Sequence, residues 1–241
     1  MGGRASCANA VSSVGPPAYA GRMIGPDEMT LDELRAVLAP HIPTHAAFDG
    51  WSDAALAAAA AELAVPADRA RLAFPDGALG MVDAWIGSVD AAMAGRLPAD
   101  RLASMKMRDR IRALIRTRLE IVAPHKEALR RALGLLALPG NLAAAARIGW
   151  RSADAMWRLA GDRAADFSWY SKRATLAAVY AATLLVWLDD ESEGDADSHA
   201  FLDRRIEEVM RFESLKARLR PDRDRHFSPT RLLGRLRYPP R

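Results

Sequence analysis

Trp169 and Tyr170 stand side by side after the polar stretch that begins Gly161-Asp162 and ends at Asp166-Phe167-Ser168, and Lys172 and Arg173 follow them. The chemistry of that set is recognition. Two large aromatics bury much area at small entropic cost, and neighbouring cations add direction to a contact. Other candidates for chemistry are weaker. His41 and His45 are four apart, but Pro40 and Pro43 interrupt the helix that would bring both imidazoles to one face, so they read as loop or cap histidines. Asp189-Asp190-Glu191-Ser192-Glu193-Gly194 opens like a calcium loop, yet Ala200 occupies the position that requires a bidentate Glu. A solvated acidic turn remains. Glu-x-x-His, Gly-x-Ser-x-Gly, Walker and dinucleotide glycine patterns do not occur. No catalytic set, metal or cofactor is therefore expected.

These residues are set on helices. Thr30 and Glu33 form a capping-box pattern for a helix ending before Pro40, and Ser52 caps an Ala-rich helix through Leu63. Pro66 opens a third short helix. A longer one runs from Asp76 to Ala94, with Leu79, Val82, Ile86, Val89 and Met93 at steps of three and four. After Pro98, Ile111, Leu114, Ile115, Leu119 and Val122 share one face against an arginine-rich remainder. Pro124 restarts the chain through Leu138, Asn141–Ala160 is nearly all apolar, and Gly161 ends it. Two long helices follow, Trp169–Asp189 and Ser198–Arg220. About nine helices are predicted and no strand: an all-α fold with a small N-terminal three-helix module and a larger C-terminal bundle.

Most of the large apolar residues lie in the later helices. Trp150, Trp157, Tyr180 and Trp187, with Met156, Leu176 and Leu184, either form an ordinary core or line a cavity for an apolar ligand; periodicity does not separate the two. The candidate lining set is Leu114, Leu138, Trp150, Met156, Trp157, Leu184 and Trp187.

Of the 241 residues, 50% are apolar, enough for a sizeable core, and the single Cys7 excludes disulfide scaffolding. The net charge of +4 is unevenly spread. From Ala217 to Arg241 eight Arg face Asp222 and Asp224, so the rest of the chain sums to −2. The basic tail, 221–241, contains a Leu/Arg-interleaved segment in which Leu232, Leu233, Arg235, Leu236 and Arg237 either contact an anionic membrane surface or belong to a disordered terminus. Residues 1–26 lack acids and read as a short organellar presequence or as an over-extended start upstream of Met23 or Met29. The organisation is thus leader 1–26, module 27–76, bundle 77–220 and tail.

The short helices before a bundle have the order of TetR-type regulators, whose second and third helices form a helix-turn-helix. Between Asp27 and Asp76, however, nine carboxylates face only Arg35, Arg69 and Arg71. A net of −6 repels a duplex, so DNA binding through this module is not expected.

The run Ala160-Gly161-Asp162, Asp166-Phe-Ser-Trp-Tyr-Ser-Lys-Arg173 and on to Tyr180 resembles the signature of the ninth COQ protein family, TetR-like accessory proteins of ubiquinone biosynthesis. Ala123-Pro-His-Lys-Glu127, Leu136-Ala-Leu-Pro-Gly-Asn141, Asp154-Ala-Met-Trp157 and Phe201-Leu-Asp-Arg-Arg-Ile206 extend the likeness from about Met29 to Arg218. The resemblance implies a non-enzymatic homodimer that encloses a lipid or polyprenyl quinone intermediate and presents it to the di-iron demethoxyubiquinone hydroxylase. By the same resemblance Trp169 and Tyr170 are the partner-docking pair, with Lys172 and Arg173 at the matching basic positions. Ser168 departs from a commoner Asn. The implied location is the bacterial cytoplasm, peripheral on the inner membrane, or the mitochondrial matrix face in a eukaryote. A TetR-type ligand-responsive regulator is the alternative.

Overall fold

The structure is a computed structural model that describes residues 25, 26, 28–162 and 168–219, the backbone alone for 168 and 213–219. Among the described residues every regular element is helical. The expected membrane-contact residues Leu232 to Arg237 and the leader through residue 24 lie outside them.

The N-terminal helices are α1 (Leu31–Leu38), α2 (Ile42–Asp49), α3 (Asp53–Glu62) and α4 (Ala67–Ala73). The capping box at Thr30 is formed in full: its hydroxyl accepts from the Glu33 N–H, and the Glu33 carboxylate accepts from the Thr30 N–H at 2.7 Å. The Thr30 N–H, with the Thr30 hydroxyl also donating to the carboxylate, holds the Glu33 carboxyl below its ordinary pKa. Between α3 and α4 the chain turns at Ala64, whose φ of 53° is a left-handed conformation that glycine adopts with less strain.

The bundle consists of α5 (Gly77–Arg96), α6 (Ala99–Ala103), α7 (Met107–Val122), α8 (Lys126–Leu136), α9 (Leu142–Leu159), α10 (Ser168–Leu188) and α11 (Ala196–Leu219). Helix α5 packs on α7 and α9, while α10 lies between α9 and α11. The eleven helices are the nine predicted plus α2 and α6. Both extra ones follow prolines read as breaks. Pro43 sits in the first turn of α2, where its missing N–H costs no helical bond.

That difference changes the reading of His45, which lies inside α2, while His41 is the cap residue of that helix. With α2 formed, His45 Nε2 lies 3.0 Å from one oxygen of Glu62 and His41 Nδ1 3.6 Å from the other. The pair braces α2 against the end of α3. Among the described residues no group of three or more His, Cys, Asp or Glu is arranged to hold a metal ion.

One continuous apolar core runs from Leu34 to Ile206, across the division expected after residue 76. Trp51 joins the two parts: its indole N–H donates to the Ala128 carbonyl at 3.0 Å, and its ring lies 5.3 Å from that of Trp85. Inside the bundle is a buried charge. Arg118, 1% exposed, pairs with Asp90, whose carboxylate also accepts from the Ser152 hydroxyl at 3.2 Å. The guanidinium sits 5.0 Å from the Tyr180 ring. Burial lowers its pKa, but Tyr180 and Asp90 outweigh that and raise it above the ordinary value, so the group stays charged.

The acidic turn after α10 is a clamp as well as a solvated loop. Asp190 accepts from the backbone N–H groups of Ser192 (2.9 Å) and Ser198 (2.8 Å) and from both hydroxyls, which holds its carboxyl far below the usual range. Asp195 accepts from the Trp187 indole at 2.9 Å, and Lys126 lies 4.3 Å from the Trp187 ring. The turn thereby ties the end of α10 to both α8 and α11.

Candidate functional site

The glycine that ends α9 also builds the site. Gly161 takes φ 86°, and the next N–H, that of Asp162, reaches back to the Trp157 carbonyl at 3.0 Å. This closure directs the Asp162 carboxylate at α10. It accepts from Lys172 Nζ at 2.8 Å and from Arg173 at 3.4 Å. Asp154, two turns back on α9, takes the other edge of Arg173.

Arg173 is consequently only 2% exposed. Two carboxylates compensate its burial, and its guanidinium lies 4.0 Å from the centre of the Trp169 ring, within cation–π range. It also donates to the Trp169 carbonyl at 3.1 Å. The ring it supports belongs to a three-membered aromatic platform. Trp169 and Tyr170 meet edge to face at 4.7 Å, and Trp150 of α9 covers them at 5.5 and 6.1 Å. Tyr170 remains 60% exposed. The four residues expected at the docking surface are thus neighbours, but Arg173 lies beneath it as a support. Trp169, Tyr170 and Lys172 reach solvent, joined by Trp150, which was expected among the ligand-lining residues.

Beside the platform opens a groove of about 320 Å³ between α7, α9, α10 and α11. Its walls are mainly apolar: Met107, Ile111, Trp157, Leu176, Val179 and Val209. Within the groove the Trp157 indole N–H donates to the Lys172 carbonyl at 3.0 Å, and Lys172 Nζ lies 5.6 Å from its ring. Past Arg108, Ile206 and Met210 the groove continues into a polar recess with Arg112, Glu207 and Arg211. Arg112 is committed there to Asp203 at 2.6 Å, which raises its pKa, and to Asp109.

The structure corrects the lining set. Of its seven members only Trp157 faces the groove. Leu114, Met156 and Trp187 are fully buried and Leu184 nearly so, all within the continuous core. Leu138 is exposed on the α8–α9 turn. The physical reason is that the most apolar positions of an amphipathic helix point to its centre of packing. A groove between helices is walled by the flanks of those stripes, and Ile111 and Leu176 were visible there.

The platform, α9, α10 and most of α11 fall in 142–213, and the COQ9 family model matches this stretch. Over this stretch the chain is similar to COQ9 proteins. "Ubiquinone biosynthesis protein COQ9, mitochondrial" of Rattus norvegicus is 40% identical over 100 residues, covering 42% of this chain and 32% of that protein. The Bos taurus COQ9 is 31% identical over 176 residues, 70% of this chain and 54% of the relative. The matched region is thus about half, or less, of these curated COQ9 proteins. Among solved structures, the TetR transcriptional regulator from Nitrosomonas europaea superposes with a TM-score of 0.59 at 25% identity, over 74% of this chain and 99% of that one. The fold is all-α and TetR-like, and the COQ9-matching segment carries Trp150, Trp157, Trp169, Tyr170, Lys172 and Arg173 together.

Proposed function

We propose that the chain acts in ubiquinone biosynthesis as a non-enzymatic accessory protein. It holds a lipid or polyprenyl quinone intermediate in the α7–α9–α10–α11 groove and offers it to the di-iron demethoxyubiquinone hydroxylase. The observation that carries the reading is the link through Asp162: it accepts from Lys172, which walls the groove, and from Arg173, which supports the Trp169 ring of the platform. A partner seated on the platform stands at the mouth of the groove. A homodimer, peripheral on a membrane surface, completes the reading, in bacteria on the inner membrane and in a eukaryote on the matrix face.

Native mass spectrometry of the purified chain tests the cargo, with isoprenoid or phospholipid adducts expected; a ligand-free protein overturns it. Trp169→Ala tests the docking. Loss of a central aromatic anchor costs about 2 kcal/mol, roughly 30-fold in affinity for the hydroxylase, with the fold retained. An unchanged affinity removes the platform from the interface.

The Nitrosomonas neighbour favours a second reading, a TetR-type ligand-responsive regulator. The side chains of α3 and α4 speak against it. Arg69 is turned inward onto the carbonyls of Pro26 and Met29, which leaves Arg71 among Asp53, Glu62 and Asp68. Fluorescence anisotropy with a labelled duplex should show no salt-dependent binding; a measurable salt slope would restore the regulator.

A further inference from the structure

The corner between α8 and α9 has a surface unlike the rest of the bundle. Leu135 to Ala146 reads Leu-Leu-Ala-Leu-Pro-Gly-Asn-Leu-Ala-Ala-Ala-Ala, twelve residues without an ionisable group. The two arms of chain, Met107–Leu136 and Pro139–Leu159, meet there at 92°. Leu138 and Leu142 project from the corner, 52% and 56% exposed, and Ala143 and Ala146 are exposed beside them. The one polar side chain in the run is turned back on the chain: Asn141 donates through Nδ2 to the Leu135 carbonyl at 2.9 Å, and its backbone N–H to the Leu138 carbonyl at 2.8 Å. Internal satisfaction of this kind is what a segment needs where water is scarce.

Charge returns on both arms at similar depth. Arg131 is seven residues before Leu138 on α8, and Arg147 five residues after Leu142 on α9. At the helical rise these guanidinium-bearing residues stand about 8–10 Å along their arms from the leucines, which is about 5–7 Å of depth in a corner of 92°. That matches the roughly 5–10 Å to which interfacial helices sink into the boundary between headgroups and acyl chains. Arg147 is 69% exposed with Asp83 at 3.6 Å, and Arg131 is 42% exposed with Glu127 at 3.1 Å, so both keep surface for further anions. A protruding apolar tip backed by two arginines suits a bilayer, which yields to the tip and supplies phosphates to the cations. No single described helix is long and apolar enough to cross one.

We propose that the α8–α9 corner is a membrane-insertion knuckle. Leu138 and Leu142 enter the acyl boundary of an anionic bilayer, and Arg131 and Arg147 lie among its phosphates. The inference rests on the membrane partner of the preceding section and names its surface.

Flotation of the full chain with vesicles of phosphatidylcholine and phosphatidylglycerol in equal parts, against phosphatidylcholine alone, provides the test. Binding is expected to the anionic vesicles, and Leu138→Glu and Leu142→Glu should each reduce the partition coefficient about tenfold with the helical circular dichroism unchanged. Leu142→Cys, labelled with an environment-sensitive fluorophore on a Cys7→Ser background, should shift to the blue on the same vesicles, and this readout does not depend on the glutamate variants folding. Vesicle binding that survives both glutamate substitutions overturns the knuckle but leaves a membrane partner standing; absence of any vesicle binding removes both. Variants that bind vesicles normally but change oligomeric state assign the corner to a second copy of the chain and equally overturn the proposal.

Discussion

Arg118→Ala should destabilise the chain by about 3–5 kcal/mol, read as a lower midpoint in urea and a melting point lower by about 10 °C. The substitution strands the Asp90 carboxylate in the interior, where the Ser152 hydroxyl at 3.2 Å and the more distant Arg151 guanidinium at 3.9 Å are left to compensate it. Uncompensated burial, more than the worth of the ion pair, sets this magnitude. The double variant Arg118→Met/Asp90→Leu separates the two. With both charges gone and the volume largely kept, it should recover most of the loss, since well-packed apolar replacements of buried pairs are close to neutral or stabilising. A single variant that melts with the wild type would mean that water reaches the pair and that the bundle centre is not closed.

The second large effect concerns the groove. Val179→Trp places an indole among Ile111, Leu176 and Val209, and should lower the isoprenoid or phospholipid recovered with the protein at least tenfold while leaving the fold intact. Trp187→Ala should do the reverse. That side chain is fully buried in the core and faces no cavity, so its removal costs about 3–5 kcal/mol without altering the cargo of the protein that remains folded. Cargo retained in Val179→Trp would place the ligand elsewhere, and cargo lost in Trp187→Ala at full stability would return the core tryptophans to the lining set.

Helix punctuation and helix faces were legible in the sequence, because capping residues, glycine stops and three-four spacing act locally. The Thr30 box, the Gly161 stop and the apolar face of α7 follow the chain chemistry directly. Proline misled at position 43, since a proline in the first turn and a proline that breaks a helix look alike without the helix start. The aromatic platform was legible as adjacent residues, but its third ring, Trp150, comes from a different helix. Arg173 shows the limit most clearly. Lys172 and Arg173 are consecutive cations, yet one is partly exposed and the other enclosed, and only the placement of Asp154 and Asp162 across the α9–α10 contact distinguishes them. The groove walls were obscured for a related reason: half-buried flank positions carry no stronger apolar signal than ordinary surface valines and methionines.

The enclosure of Arg173 bears on how fast and under what conditions a partner is met. Asp154 and Asp162 together face Arg158, Lys172 and Arg173, so the cluster at the platform keeps only one unbalanced positive charge. With the proposed partner, encounter at a face of so small a net charge would gain little from long-range steering and should fall in the roughly 10⁵–10⁶ M⁻¹s⁻¹ regime of unguided association. The lifetime of the proposed complex, set by how well three braced rings are covered, would then govern the proposed delivery, with little influence from ionic strength.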